Sequence, residues 1–180
     1  MYTIHDWSMK TNLEDFTVGE FEKILTILSN PLLENVEKYF EVFEFLGMPQ
    51  SIINKLTDDE FFTLIQQFSL TIDPSEMKPT IEVDGLIYRA YPDGEEFILR
   101  AKDLSHIEKT IKNEPNYISK ILAIILKRED LGPNEHWTSA HIIHKAKLFR
   151  DLNAKDMWPY MYFVLDKINN KLKDYVSTAE

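Results

Sequence analysis

The chain has no cysteine. That absence excludes a disulfide framework, a thiolate zinc site and a cysteine nucleophile together, and makes synthesis in a reducing, cytoplasmic compartment the expectation. Glycine is scarce: the five residues are scattered at 19, 47, 85, 94 and 132, so no glycine-rich loop is available to cradle a phosphate. Long apolar runs are missing too. The most apolar stretch, Ile118 to Leu126, is far shorter than the roughly 20 residues of a membrane-spanning helix. The first residues, Met1-Tyr-Thr-Ile-His-Asp-Trp7, lack the basic flank and apolar run of a signal peptide, and no membrane insertion is expected.

Positive charge is what the front half lacks. Residues 1–100 carry 7 Lys and Arg against 19 Asp and Glu, a net of −12, whereas residues 101–180 carry 13 against 11, a net of +2. The overall −10 disfavours general nucleic-acid binding, which depends on Lys and Arg displacing counterions from phosphates. The asymmetry suits orientation against a basic partner or a neighbouring copy, although an acidic helical face is also ordinary solvated surface.

What is present is mostly helical periodicity. Residues 1–16 show none and read as an arm. Thr17-Val-Gly-Glu20 has capping-box spacing and opens a helix with Phe21, Ile24, Leu25 and Leu28 on one face, closed by Ser29-Asn30-Pro31. A second helix over 32–46 carries Leu33, Val36, Tyr39, Phe40 and Phe43 as its stripe, with Gly47 as the C-terminal cap. Pro49 opens a short helix, and Thr57-Asp-Asp-Glu60 repeats the capping box ahead of Phe61, Leu64, Ile65 and Phe68. Prolines 74 and 79 mark a linker.

Residues 80–102 alone read as β structure. Ile81, Val83, Leu86 and Tyr88 alternate with polar residues around Asp84-Gly85, a dipeptide suited to positive φ, and Pro92-Asp-Gly94 leads to an expected third strand at Phe97–Leu99. Helices resume with Asp103 or Ser105 as cap and Leu104, Ile107 and Ile111 as apolar positions. A central apolar helix follows over about 115–128, then one over Glu135 to Arg150 with Trp137, Ile142, Ile143 and Leu148 inward. Asp156 is the expected cap of the last helix, with Pro159 in its first turn and Tyr160, Phe163, Val164 and Ile168 inward. The expected fold is therefore α+β and mainly α: an arm (1–16), an acidic helical lobe (17–72), a linker and small antiparallel β-meander (73–102), a helical lobe (103–176) and a frayed tail (177–180).

Chemistry-bearing patterns are thin. His136, His141 and His144 lie near Glu135, and His141 and His144 are one helical turn apart. A hydrolytic zinc helix places its histidines four apart with a glutamate between, whereas here Ile142 and Ile143 intervene, so packing is the expected role and no metal, catalytic residue or cofactor is assigned. Asp58-Asp59-Glu60 stands at a helix start, where the dipole favours negative charge. Ser105 beside His106 has no nucleophile motif around it. Trp137, Trp158, Tyr160 and Tyr162 share the rear half with Lys145, Lys147, Arg150 and Lys155. That mixture suits stacking on single strands or a protein contact, and protein contact fits better beside so much acid. The expected interaction residues are Asp84, Gly85 and Tyr88 of the hairpin with Trp137, Trp158, Tyr160 and Tyr162.

The order of these segments resembles small morphogenesis proteins of tailed bacteriophages. The likeness rests on Thr17-Val-Gly-Glu-Phe21, Ile81-Glu-Val-Asp-Gly-Leu-Ile-Tyr88, Asp103-Leu-Ser-His-Ile-Glu108, Ile121-Leu-Ala-Ile-Ile-Leu126 and Leu148-Phe-Arg150, and covers residues 17–165. The resemblance implies a non-enzymatic tail-assembly chaperone or a small component of the tail or head–tail region. Its implied partners are phage structural proteins or copies of itself, met in the host cytoplasm or in the virion. It carries over no catalytic residue. The alternative is a small metal-dependent enzyme or nucleic-acid-associated protein using the histidine-rich helix.

Overall fold

A computed structural model describes residues 10, 12–68, 78–90, 101–114, 117–132, 135 and 138–164, without the side chains of 101 and 102. The arm up to residue 9, most of the linker, the expected strand at Phe97–Leu99, His136, Trp137 and the tail lie outside the described residues.

The fold is mainly α with one small antiparallel sheet. Its helices are α1 (Val18–Leu28), α2 (Asn35–Phe45), α3 (Gln50–Ile53), α4 (Asp58–Gln67), α5 (Ala101–Asn113), α6 (Ile118–Ile125), α7 (Ser139–Phe149) and α8, helical over 154–164. Strands β1 (Thr80–Val83), β2 (Leu86–Ala90) and β3 (Leu126–Arg128) pair in that order.

Both capping boxes form. The Thr17 hydroxyl accepts the Glu20 amide at 3.2 Å while Glu20 accepts the Thr17 amide at 2.8 Å, and Thr57 and Glu60 repeat the exchange at 3.4 and 2.9 Å. Gly47 ends α2 at φ 92°, and the amides of Gly47 and Met48 return to Glu44 and Phe43, both at 2.9 Å. A left-handed residue there satisfies the last carbonyls and drops Met48 into the core. Asp84 and Gly85 have φ of 52° and 74°, the paired positive values of a two-residue hairpin turn whose twist matches the strands.

Several expectations are corrected. In α2, Val36 is exposed and Val42 is buried instead, because the helix turns one flank toward α1 and another toward α4. The apolar run after Ile118 is helical only to Ile125, and Leu126 then becomes extended and begins β3. Isoleucine-rich segments suit strands as well as helices, and pairing with β2 decides the switch. Among the described residues the third strand of the sheet is therefore 126–128. In α7, Ile143 is exposed while Lys145, Ala146 and Phe149 face inward. Asp103 lies within the first turn of α5 rather than ahead of it. The last helix begins at 154, two residues before Asp156, so Pro159 sits beyond its first turn.

One large core joins the two halves of the chain. Phe21, Ile24 and Ile27 of α1 meet Ile107, the apolar residues of α6, Ile142 and Phe149 of α7, and Tyr160 and Val164 of α8. Phe43, Met48, Ile53 and Phe61 close a smaller cluster among α2, α3 and α4. Backbone bonds also tie the start of α1 to the turn before α8: Val18 donates to Leu152 at 2.8 Å, Gly19 to Arg150 at 2.9 Å, and Ala154 to Phe16 at 2.9 Å.

Glu22 completes this junction. Its side chain is 1% exposed, and its Oε1 accepts the backbone amide of Ser119 at 2.6 Å. Ser119 is the second residue of α6, and Tyr117 ahead of that helix supplies no side-chain cap. A carboxylate from α1 therefore caps a helix 97 residues away.

Candidate interaction surfaces

The hairpin tip is built from the turn outward. Asp84 and Gly85 are exposed at the end of β1 and β2, followed by Leu86 and Ile87, the latter 44% exposed. The Glu129 amide donates to the Ile87 carbonyl at 2.9 Å, extending the β2–β3 register beyond Arg128. Arg89 and Glu129 pair across the strands at 2.5 Å. The chain then turns, with the amides of Leu131 and Gly132 both returning to the Arg128 carbonyl. Leu131, 52% exposed, is thereby held at the same end of the sheet as Leu86 and Ile87. Leu86 and Ile87, adjacent in β2, stand on opposite faces at this end of the sheet, and aliphatic side chains on paired backbone lose little entropy when covered.

The outer edge of β3 is closed by side chains. Because Glu129 bonds to Ile87, antiparallel alternation turns the backbone groups of Leu126 and Arg128 away from β2. The Lys145 ammonium donates to the Leu126 carbonyl at 2.8 Å, and Glu135 Oε2 accepts the Arg128 amide at 3.0 Å. The two side chains lie 3.3 Å apart, each under a tenth exposed. This buried pair supplies the acceptor and donor that a fourth strand would offer, and it blunts an edge that would otherwise recruit another chain. Burial lowers the Lys145 pKa, opposed by the Glu135 carboxylate, and the ammonium also lies 5.5 Å from the Tyr88 ring centroid.

The residues expected to mediate contacts divide by burial. Asp84, Gly85 and Tyr162 are at the surface. Tyr88 and Tyr160 are core residues, so neither is available to a partner as an anchor. Tyr88 packs edge-on against Phe149 with centroids 5.1 Å apart, and burial raises its pKa. The Tyr160 hydroxyl donates to the Lys78 carbonyl, and burial with Asp156 nearby pushes its pKa up to about 12. Trp158 is half-buried, its ring 5.3 Å from Phe21 in an edge-to-face pair, so its first role is packing. Trp137 lies outside the described residues. Sequence reasoning missed Ile87 and Leu131. The signal for Leu131 was its place beside Gly132, which has a left-handed φ of 68°, in a turn rather than on a helix face.

His141 and His144 are exposed on α7. Among the described residues no three His, Asp or Glu side chains gather as a metal site, and no helix is long and apolar enough to cross a membrane. No family model, curated protein or solved structure matches the chain.

Proposed function

We propose that this chain is a non-enzymatic bacteriophage assembly protein, a tail-assembly chaperone or small component of the tail or head–tail region. It acts in the host cytoplasm during assembly by holding phage structural proteins or copies of itself. The order of segments from Thr17 to the last helix supports the phage reading. The observation that carries the contact reading is the apolar tip of Leu86, Ile87 and Leu131, fixed by the Asp84-Gly85 turn and the Arg89–Glu129 pair. Exposed apolar side chains gathered at one end of a sheet mark a candidate contact surface.

The test follows an epitope-tagged chain through infection. Mass spectrometry compares purified particles and sedimenting assembly intermediates with the whole lysate. The tagged chain is expected with tail or head–tail intermediates, and the Ile87→Ser/Leu131→Ser variant, folded by circular dichroism, is expected to lose that association. A chain that sediments alone and never joins a phage protein refutes the proposal. A double variant that associates as the parent does refutes the assignment to the tip.

A further inference from the structure

The sheet has two outer edges, and they differ. On β3 the outward backbone groups are occupied by Lys145 and Glu135. On β1 they are those of Thr80 and Glu82: Ile87 turns its carbonyl to Glu129, so Glu82 opposite it turns away from β2, and Thr80, two residues earlier, does the same. Among the described residues neither has a backbone hydrogen-bond partner on that side. We propose that this edge takes an extended segment of another protein as an added antiparallel strand, a segment in which one lysine or arginine stands between apolar residues.

The edge is held as a strand before any partner arrives. At its start the Tyr160 hydroxyl donates to the Lys78 carbonyl, and the Lys78 ammonium pairs with Asp156 at 2.8 Å. At its end the Asp84-Gly85 turn returns the chain. Between them Ile81 and Val83 are anchored in the core. A preformed edge loses little entropy on pairing. No lysine, proline or bulge interrupts Thr80-Ile-Glu-Val83 to turn a further strand away. Its length of four residues limits the affinity, and the register of the added strand is set by the outward groups of Thr80 and Glu82.

Charge selects the occupant. Glu82 and Asp84 are exposed, and neither lies in an ion pair among the described residues. In an added antiparallel strand the residue opposite Glu82 exchanges both backbone bonds with it and sets its side chain on the same face, about 5 Å away. A lysine or arginine there meets a carboxylate, whereas an acidic residue is repelled. The residues on either side of it fall on the face of Ile81 and Val83, which is the core face, and are therefore apolar. A second copy of this chain suits the edge poorly: Thr80 and Glu82 are its outward residues, Lys78 is already held by Asp156, and two chains of net charge −10 repel.

The test is an amide-resolved NMR titration of the intact chain with the capped peptide acetyl-Ser-Thr-Val-Lys-Val-Thr-Ser-amide. It uses no phage component, so its outcome is separate from that of the association with assembly intermediates. Saturable shifts at Thr80 and Glu82 are expected, with a dissociation constant on the order of 100 μM and slowed hydrogen exchange of the Glu82 amide. The same peptide with glutamate in place of lysine should bind about fivefold more weakly, and one N-methylated at the lysine about tenfold more weakly, because the bond to the Glu82 carbonyl is lost. Glu82→Lys should reverse the preference between the lysine and glutamate peptides, whereas Glu41→Lys, an equal change of charge on α2, should leave it as in the parent. Absence of saturable shifts overturns the proposal, as does an N-methylated peptide that binds as well as the parent peptide. Equal binding of the lysine and glutamate peptides overturns the basic occupant. Shifts at Thr80 and Glu82 that grow with protein concentration in the absence of peptide overturn it in favour of a second copy.

Discussion

Replacing Glu22 by alanine should cost about 3 kcal/mol of stability, against about 1 kcal/mol for glutamine. The alanine variant leaves the Ser119 amide buried without its 2.6 Å acceptor, a loss of about 1–3 kcal/mol. It also removes a carboxylate from the start of α6, where a partly buried charge gains up to about 2 kcal/mol from the helix dipole. Arg150 loses a partner at 3.4 Å. Opposing these losses, Oε2 of Glu22 has no hydrogen bond, so deleting the group also relieves the cost of holding a charge away from water. Glutamine retains an acceptor for Ser119 and loses the charge together with the Arg150 pairing. Urea denaturation at neutral pH, followed by far-ultraviolet circular dichroism, measures both differences, with unchanged slopes expected if the unfolded state is unaffected. An alanine variant within about 1 kcal/mol of the parent, or a glutamine variant as damaged as alanine, refutes the capping argument.

Three further outcomes are expected. Lys145→Met should destabilise by about 3–5 kcal/mol by stranding Glu135, and Lys145→Met/Glu135→Leu should recover part of that loss in the same urea assay. An unchanged Lys145→Met variant would mean that the edge of β3 needs no such plug. Tyr160, with its phenol raised from 10.0 to about 12, binds its proton more tightly when folded. Its contribution to stability is therefore complete below about pH 10 and lost as the pH rises toward 12. Ultraviolet phenol titration should show late-ionising tyrosines, one of which Tyr160→Phe removes; a titration unaltered by the substitution contradicts the assignment. Gly19→Ala should lower the melting temperature, because a Cβ there would meet the Arg150 side chain at 3.2 Å and its carbonyl at 3.3 Å. Gly19→Ala combined with Arg150→Ala should regain part of the loss, and a full-sized loss in the double variant would place the cause in the contacts with the Arg150 Cβ and carbonyl.

Local interactions made much of the fold legible in the residues alone. Thr17 and Glu20, like Thr57 and Glu60, satisfy each other within one turn, and Asp84-Gly85 needs only its own backbone preferences to turn the chain. Such signals span a few residues, so the caps, the hairpin and the mainly helical class could be read without knowing what packs against them. Burial was less legible. Val36 and Ile143 fit apolar stripes as well as their buried neighbours do, and only the positions of α1, α4 and α6 determine which flank of each helix is covered.

The candidate surfaces divide in the same way. The exposed turn at Asp84 and Gly85 was visible in the sequence, but Tyr88 and Tyr160 have the composition of interface anchors and are core residues by virtue of contacts made far along the chain. Glu22 and Lys145 look like ordinary helix-surface residues in one dimension. Tertiary packing alone places the first on the start of α6 and the second on the edge of β3. Caps and turns are decided by neighbours along the chain and can be read from it. Burial and long-range capping depend on which distant elements meet, and that is settled by the shared apolar core.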